Sequence, residues 1–201
     1  IEQTSIKVKG LGTYSTSISY TGSTGTVFHF TKGADGIAQV GISDLSIYCT
    51  STSDTKQAIK FTAAQESYIR SILIQRCIGG DSVGVQISGH QMIEVSSSHI
   101  IATIPIRVST SPIAGVDSDH CHFFDLYLLR SGSAPSTLVD ALFLIDSDVY
   151  VSNLTVDGSI AFVGGKEGLY FHMAGSPKSI SHGISVNNVR QEQNTASGGF
   201  A

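Results

Sequence analysis

Apolar residues recur along this chain in a phrase of six positions: apolar, any, small or polar, apolar, any, apolar. It reads Ile42-Ser-Asp-Leu45-Ser-Ile47, Ile69-Arg-Ser-Ile72-Leu-Ile74, Val95-Ser-Ser-Ser98-His-Ile100, Phe123-Phe-Asp-Leu126-Tyr-Leu128 and Val151-Ser-Asn-Leu154-Thr-Val156, with a degenerate copy at Ser181-His-Gly-Ile184-Ser-Val186. The starts fall 27, 26, 28, 28 and 30 residues apart. A repeat of that period marks a solenoid, in which each turn buries its apolar face against its neighbours. The second half of each phrase alternates as a strand does when every other side chain enters a core. The third position is Asp44, Ser71, Ser97, Asp125, Asn153 and Gly183, residues that tolerate tight turns and bond their own backbone. The phrase therefore predicts two short strands joined at a corner, once per turn.

A shorter strand precedes most copies: Ala58–Phe61, Val85–Ile87, Ile104–Val108, Ala141–Ile145 and Leu169–Phe171. Three strands per turn with nothing helical between them describe an all-β fold, a right-handed parallel β-helix of about six turns. At roughly 4.8 Å per turn, six turns make a rod about 29 Å long. Leu45, Ile72, Ser98, Leu126, Leu154 and Ile184 should form one core column, in which the Ser98 hydroxyl needs a backbone partner. Ile6–Gly12, Ser17–Tyr20 and Val27–Phe30 read as lead-in strands within residues 1–35, ahead of a rod over 36–190. Residues 191–201 read as a polar, Gly-rich tail or linker, too polar for another turn. The longest loops fall at 109–118, 130–139 and 158–168, and binding residues on solenoids sit beside such insertions.

Composition agrees with this architecture: only 14% of residues are charged, and there are 21 glycines. A net charge of −4 leaves no basic footprint, so nucleic acid is not an expected partner. No apolar run reaches the length of a membrane span, so no membrane insertion is expected. The chain opens at Ile1 with neither Met nor a secretory signal, which suggests a processed product or part of a longer protein. Cys49, Cys77 and Cys121 are expected to be buried thiols, with Cys49 and Cys77 close together on adjacent turns. No CxxC pair or His-rich spacing suggests zinc, and neither a metal nor a cofactor is expected.

The opening strand, the Gly10-Leu-Gly12 step, the Ser/Thr-rich turn, the next strand and the irregular coils that follow resemble the pectate-lyase-like superfamily, most of all the tailspike proteins of tailed bacteriophages. The resemblance covers essentially the whole chain and rests on coil pattern, which speaks to fold before chemistry. It implies a homotrimeric virion tail appendage, synthesised in the host cytoplasm and acting outside the cell. Such a protein works beside other virion tail proteins and binds, or also cleaves, a bacterial surface polysaccharide. A secreted polysaccharide-degrading enzyme and a non-catalytic spacer rod are the alternatives.

Asp117, Asp119, His120, His122, Asp146 and Asp148 form the densest titratable cluster. Counting back from the phrase starts makes His120 and Asp148 neighbours on adjacent turns, with Asp119 and Asp146 close by. Glycoside hydrolysis needs two carboxyl groups about 5–5.5 Å apart for retention and about 6.5–9.5 Å for inversion, a role open to Asp119 with Asp146 or Asp148. Elimination would use His120 as base beside a neutralising cation, Arg107 or Arg130. Asp117, His122, Arg130 and Tyr150 are the candidate substrate contacts, Tyr150 because sugars stack on aromatic faces. The competing reading is that these aspartates form turns and the histidines are solvated. Outside the core, Leu73, Ile101, Tyr127 and Leu129 are expected to stack as an apolar patch, either packed on a sister chain or covered by a loop.

Overall fold

The computed structural model describes residues 5–31, 37–50, 55–112, 118–132, 137–138, 141–146, 151–158, 160–164, 169–173, 183–188 and 190–194. Its strands are β1 (Ile6–Lys9), β2 (Ser17–Tyr20), β3 (Gly25–Phe30), β4 (Ile37–Ala38), β5 (Val40–Cys49), β6 (Lys56–Cys77), β7 (Val83–Ala102) and β8 (Ile104–Ser109). They continue as β9 (Ser118–Arg130), β10 (Ala141–Ile145), β11 (Val151–Asp157), β12 (Ile160–Gly164), β13 (Leu169–Met173), β14 (Ser185–Asn187) and β15 (Arg190–Asn194). Every pairing is parallel, and each strand stacks on the one a turn earlier, giving a parallel β-solenoid of about four turns. The sequence pattern predicts about six turns.

The long strands β6, β7 and β9 bend where single residues enter the left-handed region. Two such corners recur on every turn. The first is Gln39, Glu66, Met92, His120, Asn153 and Gly183, and the second is Asp44, Ser71, Ser97, Asp125, Gly158 and Asn188. Between them runs a four-residue segment, one of whose inward columns, Ile42, Ile69, Val95, Phe123 and Val156, is fully buried. Each such side chain contributes about 1.5–3 kcal/mol on burial. Across the core, the strands before the first corner supply Ile59, Val85, Ile106 and Phe143 as another column, and Phe123 meets Phe143 edge-on at 4.8 Å.

A corner interrupts the ladder and orphans a backbone N–H, which must then find another partner. Buried serines supply it. Ser98 accepts from Ile72 N at 3.1 Å and donates to Ser96 O at 2.7 Å. Ser67 does the same for Val40 N at 3.2 Å and Gln65 O at 2.7 Å. At the start of β6, Ser82 accepts from Lys56 N at 3.0 Å and donates to Gly79 O at 2.5 Å. The backbone partner expected for Ser98 is thus present, and its column neighbours Leu45, Ile72 and Leu126 are as expected.

The fifth and sixth copies sit differently from expectation. Val156, not Val151, stacks on Phe123, and Leu154 pairs with Cys121, so this turn is displaced by five residues. Asn153 and Gly183 accordingly belong to the first corner, and the second is taken by Gly158 and Asn188. The physical cause is that both corners are followed by the same inward-outward-inward alternation, so one phrase fits either. The expected loop at 158–168 is correspondingly occupied in part by β12, which pairs with β9 and β15. Arg190–Asn194, which straddles the expected start of the tail at 191, is a strand paired with β12.

Candidate functional site

The four-residue segment between the corners has two outward columns alternating with two buried ones. The first stacks Gly41, Tyr68, Glu94 and His122. The second stacks Ser43, Arg70, Ser96 and Phe124. A Cβ at Gly41 would overlap the Tyr68 ring, which would then have to move. Above that ring the Arg70 guanidinium sits 4.8 Å from the centroid, a cation–π contact. The same guanidinium grips Glu94 with two parallel bonds of 2.5 and 2.8 Å, and Ser96 Oγ adds a third at 2.7 Å.

These contacts set the charge state of the face. Hydrogen bonds from Arg70, outweighing partial burial, hold the Glu94 carboxyl below the usual carboxylate range, and Ser96, the Arg70 charge and His122 act in the same direction. The bond to Glu94 in turn raises Arg70. Glu94 is thus a fixed anion with its acceptors aimed, a poor general acid at neutral pH.

Beside this ladder a cleft of about 300 Å³ is lined by Met92, Ile93, Glu94, His120 and His122. Met92 and His120 are first-corner residues, and the left-handed backbone turns their side chains out over the cleft. Asp119 Oδ2 lies 2.8 Å from His120 Nδ1, and Asn153 Nδ2 donates to Asp119 Oδ1 at 3.1 Å. The imidazole is therefore oriented, with Nε2 as the nitrogen Asp119 does not engage. Met92 is 51% and Phe124 38% exposed, so apolar surface flanks the polar groups. Below the corner, His90 is wholly buried against the Cys121 thiol, and burial depresses its basicity to a pKa of about 3.

Of the residues expected here, Asp119, His120 and His122 come together. The residue stacked on His120 is Asn153, not Asp148, because of the five-residue displacement. Asp146 is bound bidentately by Arg107, at 2.7–3.0 Å, after β10 on another side of the solenoid. Arg130 is half-buried at the far end of β9 and pairs there with Ala102. Asp117, Asp148 and Tyr150 lie outside the described residues. Leu73 is only 7% exposed and so is covered within the chain, whereas Ile101, Tyr127 and Leu129 are half-buried. Tyr127 stacks on His99, with ring centroids 5.0 Å apart, and Leu129 on Ile101.

Tyr68, Arg70 and Glu94 were not singled out from the sequence. Counting one residue before and one residue after each phrase start yields their columns, so a signal was present. Among the described residues no group of three or more His, Cys, Asp or Glu is arranged to hold a metal ion.

The site offers aimed donors and acceptors, aromatic and thioether surface, and one oriented imidazole. The carboxylates nearest the cleft are already engaged, Glu94 by Arg70 and Asp119 by His120 and Asn153. No protein-family model matches this chain, and no curated protein or solved structure shows significant similarity to it.

Proposed function

We propose that this solenoid is the glycan-recognising rod of a tailspike-like virion appendage, and that the face between the corners binds a bacterial surface polysaccharide. The observation that carries this reading is the Tyr68–Arg70–Glu94–His122 ladder beside the cleft. Sugars present apolar ring faces and hydroxyl rims, and a ligand of that kind fits aromatic surface interleaved with donors and acceptors held rigid before binding. Binding without cleavage is favoured over hydrolysis because Glu94 is held ionised and Asp119 is engaged twice. Elimination is disfavoured because Arg70 and Arg107 already neutralise carboxylates of the chain itself.

The test is a panel of capsular and lipopolysaccharide glycans, following retention of the uncut polymer together with new reducing ends and unsaturated uronate absorbance. Retention without new ends is expected. Phe124→Ala and His122→Ala should weaken retention about tenfold each, because each removes one contact from a rigid face. Release of new ends would return Asp119 and His120 to a catalytic role. Absence of both would favour a spacer rod.

The half-buried stack of Ile101, Tyr127 and Leu129 is the face proposed to meet sister chains in a homotrimer. Leu129→Asp should convert the oligomer to monomer on gel filtration, and an unchanged elution volume would remove this assignment.

A further inference from the structure

Cys49 and Cys77 are the last residues of β5 and β6, strands that lie on adjacent turns. Tyr48 pairs with Gln75, and a bulge at Arg76, whose φ is 58°, carries Cys77 forward to the rung above Cys49. Both thiols are free, wholly buried and in the main core. Neighbouring parallel rungs are about 4.8 Å apart, inside the roughly 4.4–6.8 Å range of Cα separations that a disulfide spans.

Their surroundings are unusual for core cysteines. Lys56 is wholly buried beside them, its Nζ donating to Ile78 O at 3.3 Å. The Cys49 thiol is lowered, first by a hydrogen bond from Cys77 and also by the Lys56 charge, against its own burial. Cys77, the partner in that bond, is pushed up. The Cys49 sulfur is thus the more readily ionised nucleophile, while the Cys77 thiol donates to Val83 O at 3.3 Å. Cys121 provides an internal contrast, since its thiol faces His90 rather than a second sulfur.

We propose that Cys49 and Cys77 are a modification site, closing to an inter-turn disulfide when the protein meets a small-molecule disulfide such as oxidised glutathione. The Cys49 thiolate attacks one sulfur of the small disulfide and expels its other half as a thiolate. The Cys77 thiolate then attacks the Cys49 sulfur and expels the second half, so two protein thiols are oxidised and one small disulfide is reduced to two thiols. The protons released by the two cysteines pass to the departing thiolates. Both thiols are buried, so access requires the strand ends to open, which denaturant just below the unfolding transition supplies. The bond then staples two turns that otherwise only stack.

The full chain is incubated with oxidised glutathione, with and without denaturant just below the unfolding transition. It is then alkylated after complete denaturation and mapped by mass spectrometry. Free thiols should fall from three to one, with a Cys49–Cys77 linked peptide. The thermal midpoint should rise by about 5–10 °C relative to the same sample after reduction. Cys121→Ser should preserve the link and Cys49→Ala abolish it; the comparison of oxidised with reduced wild type needs no substitution. Three unreacted thiols in the denaturant arm, a link to Cys121, or a glutathione adduct that persists on one cysteine would each overturn the proposal.

Discussion

On the first four turns the two corners have the same backbone conformation and opposite chemistry. The second is built from Asp44, Ser71, Ser97 and Asp125, which tolerate positive φ, and its residues bond one another, as Ser97 does to Asp125 at 2.9 Å. The first holds Gln39, Glu66, Met92 and His120 at φ between 46° and 56°, where large side chains carry a cost of order 1–3 kcal/mol each. That cost is borne where the candidate cleft lies, since Met92 and His120 line it. The comparison teaches that the second corner shapes the rod and the first equips it.

The largest expected difference between the two is in acid. His90 lies two residues before the first corner and is buried neutral, with a pKa of about 3 in place of 6.5. Between those values the unfolded chain binds a proton that the folded chain refuses, so stability falls as pH drops below about 6.5, by about 1.4 kcal/mol per unit. Urea melts from pH 7 to 4.5 should show that slope, and His90→Gln should flatten it. A wild-type curve that is flat over this range would mean His90 is not held neutral.

Next in size is the serine that follows each corner. Ser67→Ala at the first and Ser98→Ala at the second should each cost about 1–3 kcal/mol, because Val40 N or Ile72 N loses its acceptor inside the core. Similar losses would show that the corners differ in what they present and not in how they are held. A loss at only one would separate them structurally as well.

Glycine should then distinguish them. Met92→Gly relieves a left-handed methionine and should gain up to about 1 kcal/mol while weakening glycan retention. Asp125→Gly should gain nothing, because aspartate already tolerates the conformation and its bond from Ser97 is lost. Chemical denaturation of both variants beside a retention assay resolves the contrast, and a stabilised Asp125→Gly would dissolve it.

The smallest effect concerns the ladder on the face itself. Glu94 has a depressed pKa, so its contribution to stability is present above the ordinary glutamate range and is lost as pH falls through its lowered folded value. The Arg70–Glu94 pair is partly exposed, so its contribution is small. In thermal scans from pH 6 to 3, Glu94→Gln should lose a small component of the acid response while His90 still supplies the rest. An unchanged curve would reduce the ion pair to a positioning device for the site.

The sequence by itself determined the parallel solenoid and, over the first four copies, its inward columns and the second corner, because an alternating pattern and a column of turn-forming residues each reflect local backbone physics. Asp119, His120 and His122 were legible too, since titratable residues adjacent in the chain stay adjacent in the fold. On the first three turns the first corner was decided only by the tertiary structure: nothing in Gln39, Glu66 or Met92 favours a left-handed backbone, which the stacked strands on either side impose. Register was decided there as well. Asn153 followed by Leu-Thr-Val fits either corner, and stacking put it on His120. The Tyr68–Arg70–Glu94–His122 ladder has the same origin, because residues 26 and 28 positions apart become neighbours only once each turn has closed on the last.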